Sequence, residues 1–242
     1  MKTQNRSYRE IAEVIKKRIE NNEYPINALI PKQVALAEEF SVSRTTIAKA
    51  LDILISRGFL YTRRGAGTFV TKSMVLSKQD FYVQDYIGLT NQFPDDTVTS
   101  KIILFEIVFP DEKVQSALNL KAEVPVYNVI RLRVLNSQNY MLEHTHMPVH
   151  LIRGLHSEIL QKSIYKYIKE TLKLTMSGAW RKIFADKPNE QDKEYLGCTE
   201  TDPVIRVEQI VCLTDGEPFE YSITTRKYDQ GSFIVIDQKS RY

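Results

Sequence analysis

A helix-turn-helix pattern followed at once by a basic hairpin occupies residues 34–70 and restricts the fold of the chain more than any other feature. Apolar residues recur at helical spacing over 34–40, and a short polar break at 41–43 separates them from a second helical run that begins at Arg44. Gly58 suits the left-handed residue that ends such a helix. Two helices in this arrangement place the start of the second one in a DNA major groove. The pattern therefore predicts a DNA-binding domain.

The flanking residues extend this domain to a winged helix-turn-helix over residues 1–71. Residues 7–22 predict a first helix, because apolar side chains follow the helical period and the first turn resembles a capping box. Residues 59–62 and 68–70 are typical of two short strands joined by a glycine-containing turn.

The candidate DNA contacts lie at the start of the second motif helix and in the wing turn. Arg44, Thr45 and Thr46 lie where base edges and phosphates would be met. The guanidinium groups of the turn suit phosphates or a narrow minor groove, and its glycines permit close backbone approach. These turn residues are Arg63, Arg64, Gly65 and Gly67. The alternative is an exposed hairpin with solvated charges.

The charge distribution supports a nucleic-acid partner for the first third only. Residues 1–75 carry 13 Lys and Arg against 7 Asp and Glu, whereas the remaining residues carry 20 against 23. A basic domain followed by a mildly acidic body fits one DNA-facing domain and one with another role, although chance clustering of lysines is the alternative.

Length and composition limit the classes of protein to which the chain can belong. A chain of 242 residues with 43% hydrophobic residues holds one large or two ordinary globular domains. No signal peptide and no apolar stretch of the ~20 residues that span a bilayer is present. Cys198 and Cys212 have no metal-binding or redox spacing. We expect a cytoplasmic protein with reduced thiols, no cofactor, no metal and no membrane partner.

The rest of the chain predicts a linker over 72–84 and an α+β domain on an antiparallel sheet over 85–242. Strand-like alternation predicts six strands, at residues 102–109, 127–135, 140–148, 179–185, 204–214 and 219–228. Helical spacing predicts three short helices, at residues 111–119, 163–172 and 189–196.

Two arginines predict an anion site in this second domain. Arg131 and Arg133 lie two apart on a predicted strand, so they share a face and repel unless an anion or a carboxylate lies between them. Ser163 would begin a helix, whose amide groups attract phosphate. The alternative is a structural ion network with Glu143 and Glu220. The hairpin leaves open whether Glu143 or His144 lies opposite Arg131.

A histidine cluster offers a different ligand class. His144, His146, His150 and His156 fall within thirteen residues, and the first two would share a strand face. Imidazoles are zinc ligands, but no helical histidine pair or cysteine pair accompanies them. A zinc-sensing site is therefore a minor alternative.

The first 70 residues resemble the GntR family of bacterial repressors. The matching segments are residues 24–25, 30–40, 42–46, 49–51, 58 and 65–70. The resemblance implies that Arg44, Thr45, Thr46, Arg64 and Gly65 lie at the operator. Val34 and Ala48 stand where the family commonly has arginines, while Lys32 and Lys49 are close enough to supply phosphate contacts.

The second domain resembles the UTRA ligand-sensing domain of the HutC branch of that family, with a fold like chorismate lyase. The matching segments are residues 129–133, 143, 162–165, 202–208 and 215–222. The resemblance implies a phosphorylated-sugar effector, with a phosphate near Arg131, Arg133, Ser163 and Tyr165 and with sugar hydroxyls near Glu143 and Glu220. Tyr86, Gly88 and Arg226 are further candidates, although Arg226 would alternatively lie on an exposed strand.

Together these features predict a homodimeric transcriptional repressor that a small anionic metabolite releases from a palindromic DNA operator. Dimerisation is expected because one recognition helix contacts few bases, so two are placed one helical turn apart. The alternatives are a regulator that senses a metal, an amino-acid derivative or a fatty acid, an enzyme with a lyase-like domain, and a chromosome-binding protein without sequence preference.

Overall fold

The computed structural model describes residues 6–71, 81–82, 88–93 and 96–235. The chain divides into two compact units, Met1–Gln84 with Ser232–Tyr242, and Asp85–Gly231. Among the described residues, no helix is both long enough and apolar enough to cross a membrane.

The first unit contains the predicted winged helix-turn-helix. Its elements are α1 (Tyr8–Glu20), α2 (Gln33–Phe40), α3 (Arg44–Ser56), β1 (Leu60–Arg63) and β2 (Gly67–Val70). Ser7 caps α1 in a capping box with Glu10, which satisfies amide groups that have no partner within the helix. Ile11, Ile47 and Leu54 are fully buried in the shared core of the helices.

The wing is hydrogen-bonded to the segment that leads into α2. The amide of Ile30 donates to the carbonyl of Thr68 over 3.0 Å, and the amide of Val70 donates to the carbonyl of Ala28 over 3.0 Å. Leu29 pairs with Phe69 across this bridge. The segment before α2 therefore lies beside the two-stranded wing hairpin, joined to it by an isolated β-bridge and backbone hydrogen bonds.

Residues 72–84 were predicted as linker, yet two of them form a strand. β3 (Phe81–Tyr82) pairs in parallel with β10 (Phe233–Ile234), near the other end of the chain. A two-residue strand has too little alternation to be distinguished from polar linker, and its partner lies far away in sequence.

The second unit is built on a six-stranded antiparallel sheet in the order β4-β5-β6-β9-β8-β7. Its strands are β4 (Val98–Val108), β5 (Val126–Leu135), β6 (Gln138–Pro148), β7 (Met176–Asp186), β8 (Val204–Leu213) and β9 (Pro218–Lys227). Its helices are α4 (Gly88–Gln92), α5 (Glu112–Leu118), α6 (Ser157–Leu160), α7 (Ile164–Glu170) and α8 (Glu190–Leu196). All six predicted strands and all three predicted helices are present, which confirms the α+β fold.

Helices cover both faces of this sheet. Leu160, Ile164 and Ile168 from α6 and α7 pack with Val129 and other residues of one face. Leu196 of α8 packs with Ile130 on the other face, where Val114 and Leu118 of α5 also pack against the sheet. Because successive side chains of a strand point to opposite faces, each face of β5 has its own core.

Candidate functional site

The start of α3 exposes the predicted DNA-contacting residues. Ser43 is the N-cap of α3, and its hydroxyl accepts a hydrogen bond from the Thr46 amide over 3.1 Å. The same hydroxyl lies 2.8 Å from the Thr46 hydroxyl, so Thr46 is half-buried and engaged in the cap. Arg44 and Thr45 are exposed beside it. The Lys49 ammonium is 5.9 Å from the centre of the Tyr8 ring of α1.

The wing presents two arginines in different environments. Arg63 lies over the rings of Tyr61 and Phe69, 5.4 Å from each ring centre, and these rings stack on each other. Arg64 lies at the exposed turn. Cation–π contacts restrict the guanidinium of Arg63, whereas the guanidinium of Arg64 projects from the turn.

The segment before α2 adds further exposed side chains to the first unit. Lys32 is the N-cap residue of α2 without a side-chain capping bond, and it is exposed. Val34, which stands where the family commonly has an arginine, has 47% of its surface exposed.

Gly65 and Gly67 of the wing both have positive φ angles, 77° and 116°. A Cβ atom on Gly67 would lie 2.6 Å from Cδ1 of Leu29, whereas one on Gly65 would meet no atom within 4 Å. Gly67 is therefore needed for close packing as well as for its backbone conformation.

In the second unit, the register places Glu143, and not His144, opposite Arg131. A two-residue turn at Asn136 and Ser137, both with positive φ, joins the strands, and a β-bulge between Arg133 and Val134 then shifts the register by one residue. Arg131 Nη2 donates to Glu143 over 2.6 Å, and Arg133 Nη1 donates to the same carboxylate over 3.2 Å. One carboxylate therefore lies between two arginines that are 5% and 4% exposed.

Burial and the neighbouring charges determine how Glu143 and Arg131 are ionised. Burial opposes the charged form of Glu143, but Arg133 and Arg131 outweigh burial and lower its pKa. Burial lowers the pKa of Arg131, and Glu143 partly offsets that effect. The group thus holds two positive charges and one negative charge.

Sequence analysis predicted an anion site formed by two arginines and the start of a helix. In the structure these groups have different hydrogen-bond partners from those expected. Arg131 Nη1 donates to the carbonyls of Leu160 and Lys162, over 2.8 and 3.3 Å. The Ser163 hydroxyl accepts from the amide of Lys166 as the N-cap of α7. Arg131 therefore contacts carbonyl groups before the helix, while Arg133 has fewer partners.

Arg133 retains hydrogen-bonding capacity. Its Nη2 donates to the hydroxyl of Thr90 on α4 over 3.3 Å. Its Nε is buried and has no hydrogen-bond partner among the described residues. A buried donor without a partner is costly, so an acceptor bound at this atom would stabilise the folded protein.

Glu220 accepts hydrogen bonds from uncharged side chains, and among the described residues it forms no ion pair with an arginine. Its Oε1 accepts from Ser222 and from Gln209, over 2.8 Å in each case. Burial raises the pKa of Glu220. Burial, followed by Glu220, raises the pKa of Tyr165 well above its ordinary value. The structural ion network that sequence analysis left open exists at Glu143 but not at Glu220.

The remaining predicted effector residues are Gly88, Arg226 and Tyr86. A Cβ atom on Gly88 would lie 3.4 Å from Cδ2 of Tyr165, so these two residues are in contact. Arg226 is 2% exposed and donates to the carbonyl of Gln230 over 3.2 Å, which contradicts its placement on an exposed strand. Tyr86 lies outside the described residues.

Sequence analysis missed Thr90, Gln209, Ser222 and Arg181. Ser222 shares a strand face with Glu220, and Gln209 pairs with Ser222. The turn at 215–216 and a correct register for β8 and β9 would have identified both residues. Thr90 lies on a five-residue helix, which is too short for a periodic signal.

The histidine pair lies on the opposite face of the sheet. The rings of His144 and His146 are 4.7 Å apart, and His144 Nε2 lies 2.8 Å from Oδ1 of Asn128. Burial and His144 lower the pKa of His146 to about 4. Within the described residues, no group of three metal-ligating side chains lies together.

Comparison with known proteins agrees with both units. The family described as bacterial regulatory proteins, gntR family, matches residues 7–70, and the UTRA domain matches residues 95–230. The HTH-type transcriptional regulator GmuR of Bacillus subtilis is 42% identical, with 97% of this chain and 98% of the relative covered. The mannosyl-D-glycerate transport/metabolism system repressor MngR of Escherichia coli is 28% identical, with 96% of each covered.

A solved structure shows the same fold over nearly the whole length. The crystal structure of the possible transcriptional regulator YydK from Bacillus subtilis matches with a TM-score of 0.77 and 31% identity, covering 96% of this chain and 99% of that one. The chain therefore belongs to the GntR family of bacterial transcriptional regulators, in the HutC branch that carries a UTRA domain.

Proposed function

We propose that this regulator is a homodimeric repressor, and not an enzyme, that leaves a palindromic operator when a small phosphorylated sugar binds its second unit. The observation that carries the proposal is the arginine cluster of β5. Two buried guanidinium groups share one carboxylate, and a buried donor of Arg133 has no partner among the described residues. An anion with several acceptor oxygens would satisfy both the charge and the donor.

The DNA contacts are proposed for the exposed start of α3 and for the wing. Arg44 and Thr45 project from the first turn of α3, and Arg64 projects from the wing turn. Lys32 and Lys49 would add phosphate contacts, whereas lysine lacks the planar fork with which arginine contacts guanine. Thr46 would act mainly by holding the start of α3 in place.

The effector contacts are proposed for the face of the sheet that carries Arg131. A phosphate would lie at Arg133 and Thr90, because Arg131 is already engaged by carbonyl groups and Glu143. Glu143 and Glu220 then lie where sugar hydroxyls donate hydrogen bonds to carboxyl oxygens. Gly88 and Tyr165 would enclose this end of the site, with Ser163 at the start of α7.

A relative supports the sugar assignment. MngR is named for a mannosyl-D-glycerate transport and metabolism system, and the similarity to this chain covers both of its units. A sugar derivative with an acidic group has the chemistry that a cluster of two arginines and two carboxyl groups would bind.

The experiment is a thermal-shift titration of the full-length protein. Glucose 6-phosphate, mannose 6-phosphate and glucosamine 6-phosphate are compared with their unphosphorylated parents and with inorganic phosphate. A ligand at 100 times its Kd stabilises the folded state by about 2.7 kcal/mol. We expect a shift from at least one phosphorylated sugar that its parent sugar does not produce. Equal shifts from parent and phosphate, or none from any phosphate, would contradict the proposal.

The matched variants are Arg133→Ala and Lys101→Ala. Both remove one positive charge from the sheet, but Lys101 is exposed on β4. Arg133→Ala should abolish the ligand shift while retaining affinity for operator DNA selected from random sequence by the wild type. Lys101→Ala should keep both properties. Loss of DNA binding with an unfolded second unit would assign Arg133 a structural role instead.

A further inference from the structure

The surface of α3 that faces away from the core carries methyl groups among charged side chains. Ile47 and Leu54 are buried on the inner side of this helix. Arg44 and Thr45 are exposed on its outer side. Ala48 lies one turn after both of them, because residues three and four apart are neighbours on a helix. Ala48 is half-buried and lies outside the core cluster described for this unit, so it belongs to the surface that α3 would present to DNA.

The methyl groups of Thr45 and Ala48 lie on a turn that is held in place by its cap. The Thr46 amide donates to the Ser43 hydroxyl over 3.1 Å, and the two hydroxyl groups lie 2.8 Å apart. Residues three apart on a helix have Cβ atoms roughly 5–6 Å from each other. This spacing permits two methyl groups to contact one small apolar group that lies between them.

Thymine has the base edge that suits such a surface. In the major groove, thymine alone presents a methyl group, which is attached to C5. The side chain of Ala48 has neither a donor nor an acceptor, so a purine or cytosine edge beside it would lose water without gaining a hydrogen bond. A thymine methyl group gains from leaving water. An alanine at this place therefore favours thymine over the other three bases.

We propose that Ala48 and the methyl group of Thr45 contact the 5-methyl group of one thymine in each operator half-site, and that this contact determines the base preferred there. The inference rests on the proposed DNA contacts of α3. Burial of one methyl-sized group contributes about 0.8 kcal/mol, and 1.4 kcal/mol is a tenfold change in Kd. Loss of the thymine methyl group should therefore weaken binding about fourfold in one half-site and about 14-fold in both.

The test replaces thymine with deoxyuridine, which differs from it only by the missing 5-methyl group. The full-length protein first selects an operator from random DNA. Each thymine position is then replaced in both half-sites, and fluorescence anisotropy measures the Kd at one salt concentration, because phosphate contacts make affinity depend on salt. We expect one position at which the deoxyuridine operator binds about 14-fold more weakly than the thymine operator.

Two variants assign the contact to the two side chains. Thr45→Ser removes the γ-methyl group and keeps the hydroxyl, and Ala48→Gly removes the β-methyl group. Each variant should lower the ratio of the two Kd values at that position, and the double variant should bring the ratio close to one. Glycine also destabilises a helix. A purely structural loss would weaken binding to both operators and leave their ratio unchanged.

Ala35→Gly is the matched control on α2. Ala35 is exposed, and Glu38 and Glu39 lie one turn after it on the same side of the helix. DNA phosphates repel these carboxylates, so we expect this side of α2 to lie away from the duplex. Ala35→Gly has a similar helix-propensity cost to Ala48→Gly. It should retain the full ratio between the thymine and deoxyuridine operators.

The outcomes distinguish this inference from the function on which it rests. If the protein selects an operator but no deoxyuridine replacement weakens binding by more than about twofold, the thymine contact is wrong while operator binding remains. The contact is also wrong if the double variant keeps the ratio, or if Val34→Ala removes it instead. If the protein selects no preferred sequence, the proposed operator binding fails and the inference fails with it.

Discussion

Glu143 shows how a single side chain determines the state of the candidate effector site. It is the carboxylate between Arg131 and Arg133, with a side chain that is 13% exposed. Sequence patterns brought these three residues together as candidates, but the choice between Glu143 and His144 depended on the hairpin turn and on a β-bulge between Arg133 and Val134. A shift of one residue would have placed an imidazole between the arginines.

Glu143→Gln should lower the free energy of unfolding by about 3 kcal/mol, because two buried guanidinium groups then lack a counter-ion. The lowered pKa of Glu143 means that the wild type holds this stabilisation above the ordinary carboxyl pKa and loses it as the pH falls through the folded value. Urea unfolding at several pH values measures both effects. Glu106→Gln, at an exposed position of β4, is the control. Equal losses in the two variants would contradict the assignment.

His146 gives the second unit a pH dependence in a different range. The unfolded residue takes up a proton near pH 6.5, whereas burial lowers the folded pKa to about 4. The unfolding free energy should therefore be highest above pH 6.5 and fall between pH 6.5 and 4. His146→Gln should flatten part of that fall, and His144, whose pKa burial also lowers, accounts for another part. An unchanged pH profile in His146→Gln, matching that of the exposed-site variant His150→Gln, would refute this account.

At the scale of secondary-structure elements, the outcome of sequence reasoning depended on element length. The long strands and the helices with clear caps were predicted, because 7 to 13 residues show a period and Ser7, Ser43, Asp111 and Asn189 are N-caps. α4 and α6, of five and four residues, show no period. β4 begins at Val98, before the predicted start at residue 102. The first four residues of this edge strand are mostly polar, so they show no clear alternation of apolar side chains.

The residues of the candidate site were likewise predictable only where a single element placed them together. Arg131 and Arg133 were predictable because alternation on one strand fixes their common face. Gln209 and Arg181 were not, because their place beside Glu220 depends on pairing between strands that share no short motif. Thr90 was not predictable either, because it lies on a short helix and contacts Arg133 only through the tertiary fold.

The wing hairpin offers a test of one element. Gly67→Ala places a side chain at φ 116°, where a Cβ atom would meet Leu29. The strain should lower the free energy of unfolding of the first unit by about 1–3 kcal/mol. Gly65→Asn, at φ 77° with open space around it, should cost little, because asparagine tolerates left-handed backbone. Thermal unfolding of both variants compares them. Equal melting temperatures would show that Leu29 moves without cost.

At the scale of the whole molecule, two units with separate cores divide the proposed work. The first unit exposes Arg44, Thr45 and Arg64, which we propose contact DNA, and the second encloses the arginine cluster of β5, which we propose binds an anion. Regulation requires that ligand binding and DNA binding are coupled, and such coupling is typically worth ~1–3 kcal/mol. The coupling is reciprocal, so operator DNA should weaken ligand binding by the same factor by which ligand weakens DNA binding.

The proposed dimer predicts a dependence on half-site spacing. Two recognition helices contact half-sites about 34 Å apart, which is one turn of DNA. Inserting five base pairs between the half-sites of the selected operator should therefore abolish most specific binding, whereas ten inserted base pairs restore the rotational phase. Band-shift titrations of the three DNA fragments measure this. Indifference to the insertion would indicate that one protomer binds alone.

Release of operator DNA by a bound sugar phosphate can be measured in one fluorescence-anisotropy titration. Full-length protein is titrated onto labelled operator DNA at fixed salt, with and without the phosphorylated sugar that gives the largest thermal shift. We expect the sugar phosphate to raise the Kd for operator DNA by about 5- to 150-fold, the range that ordinary coupling free energies produce. Its unphosphorylated parent should leave the Kd unchanged. An unchanged or lower Kd in the presence of a bound sugar phosphate would contradict release by effector.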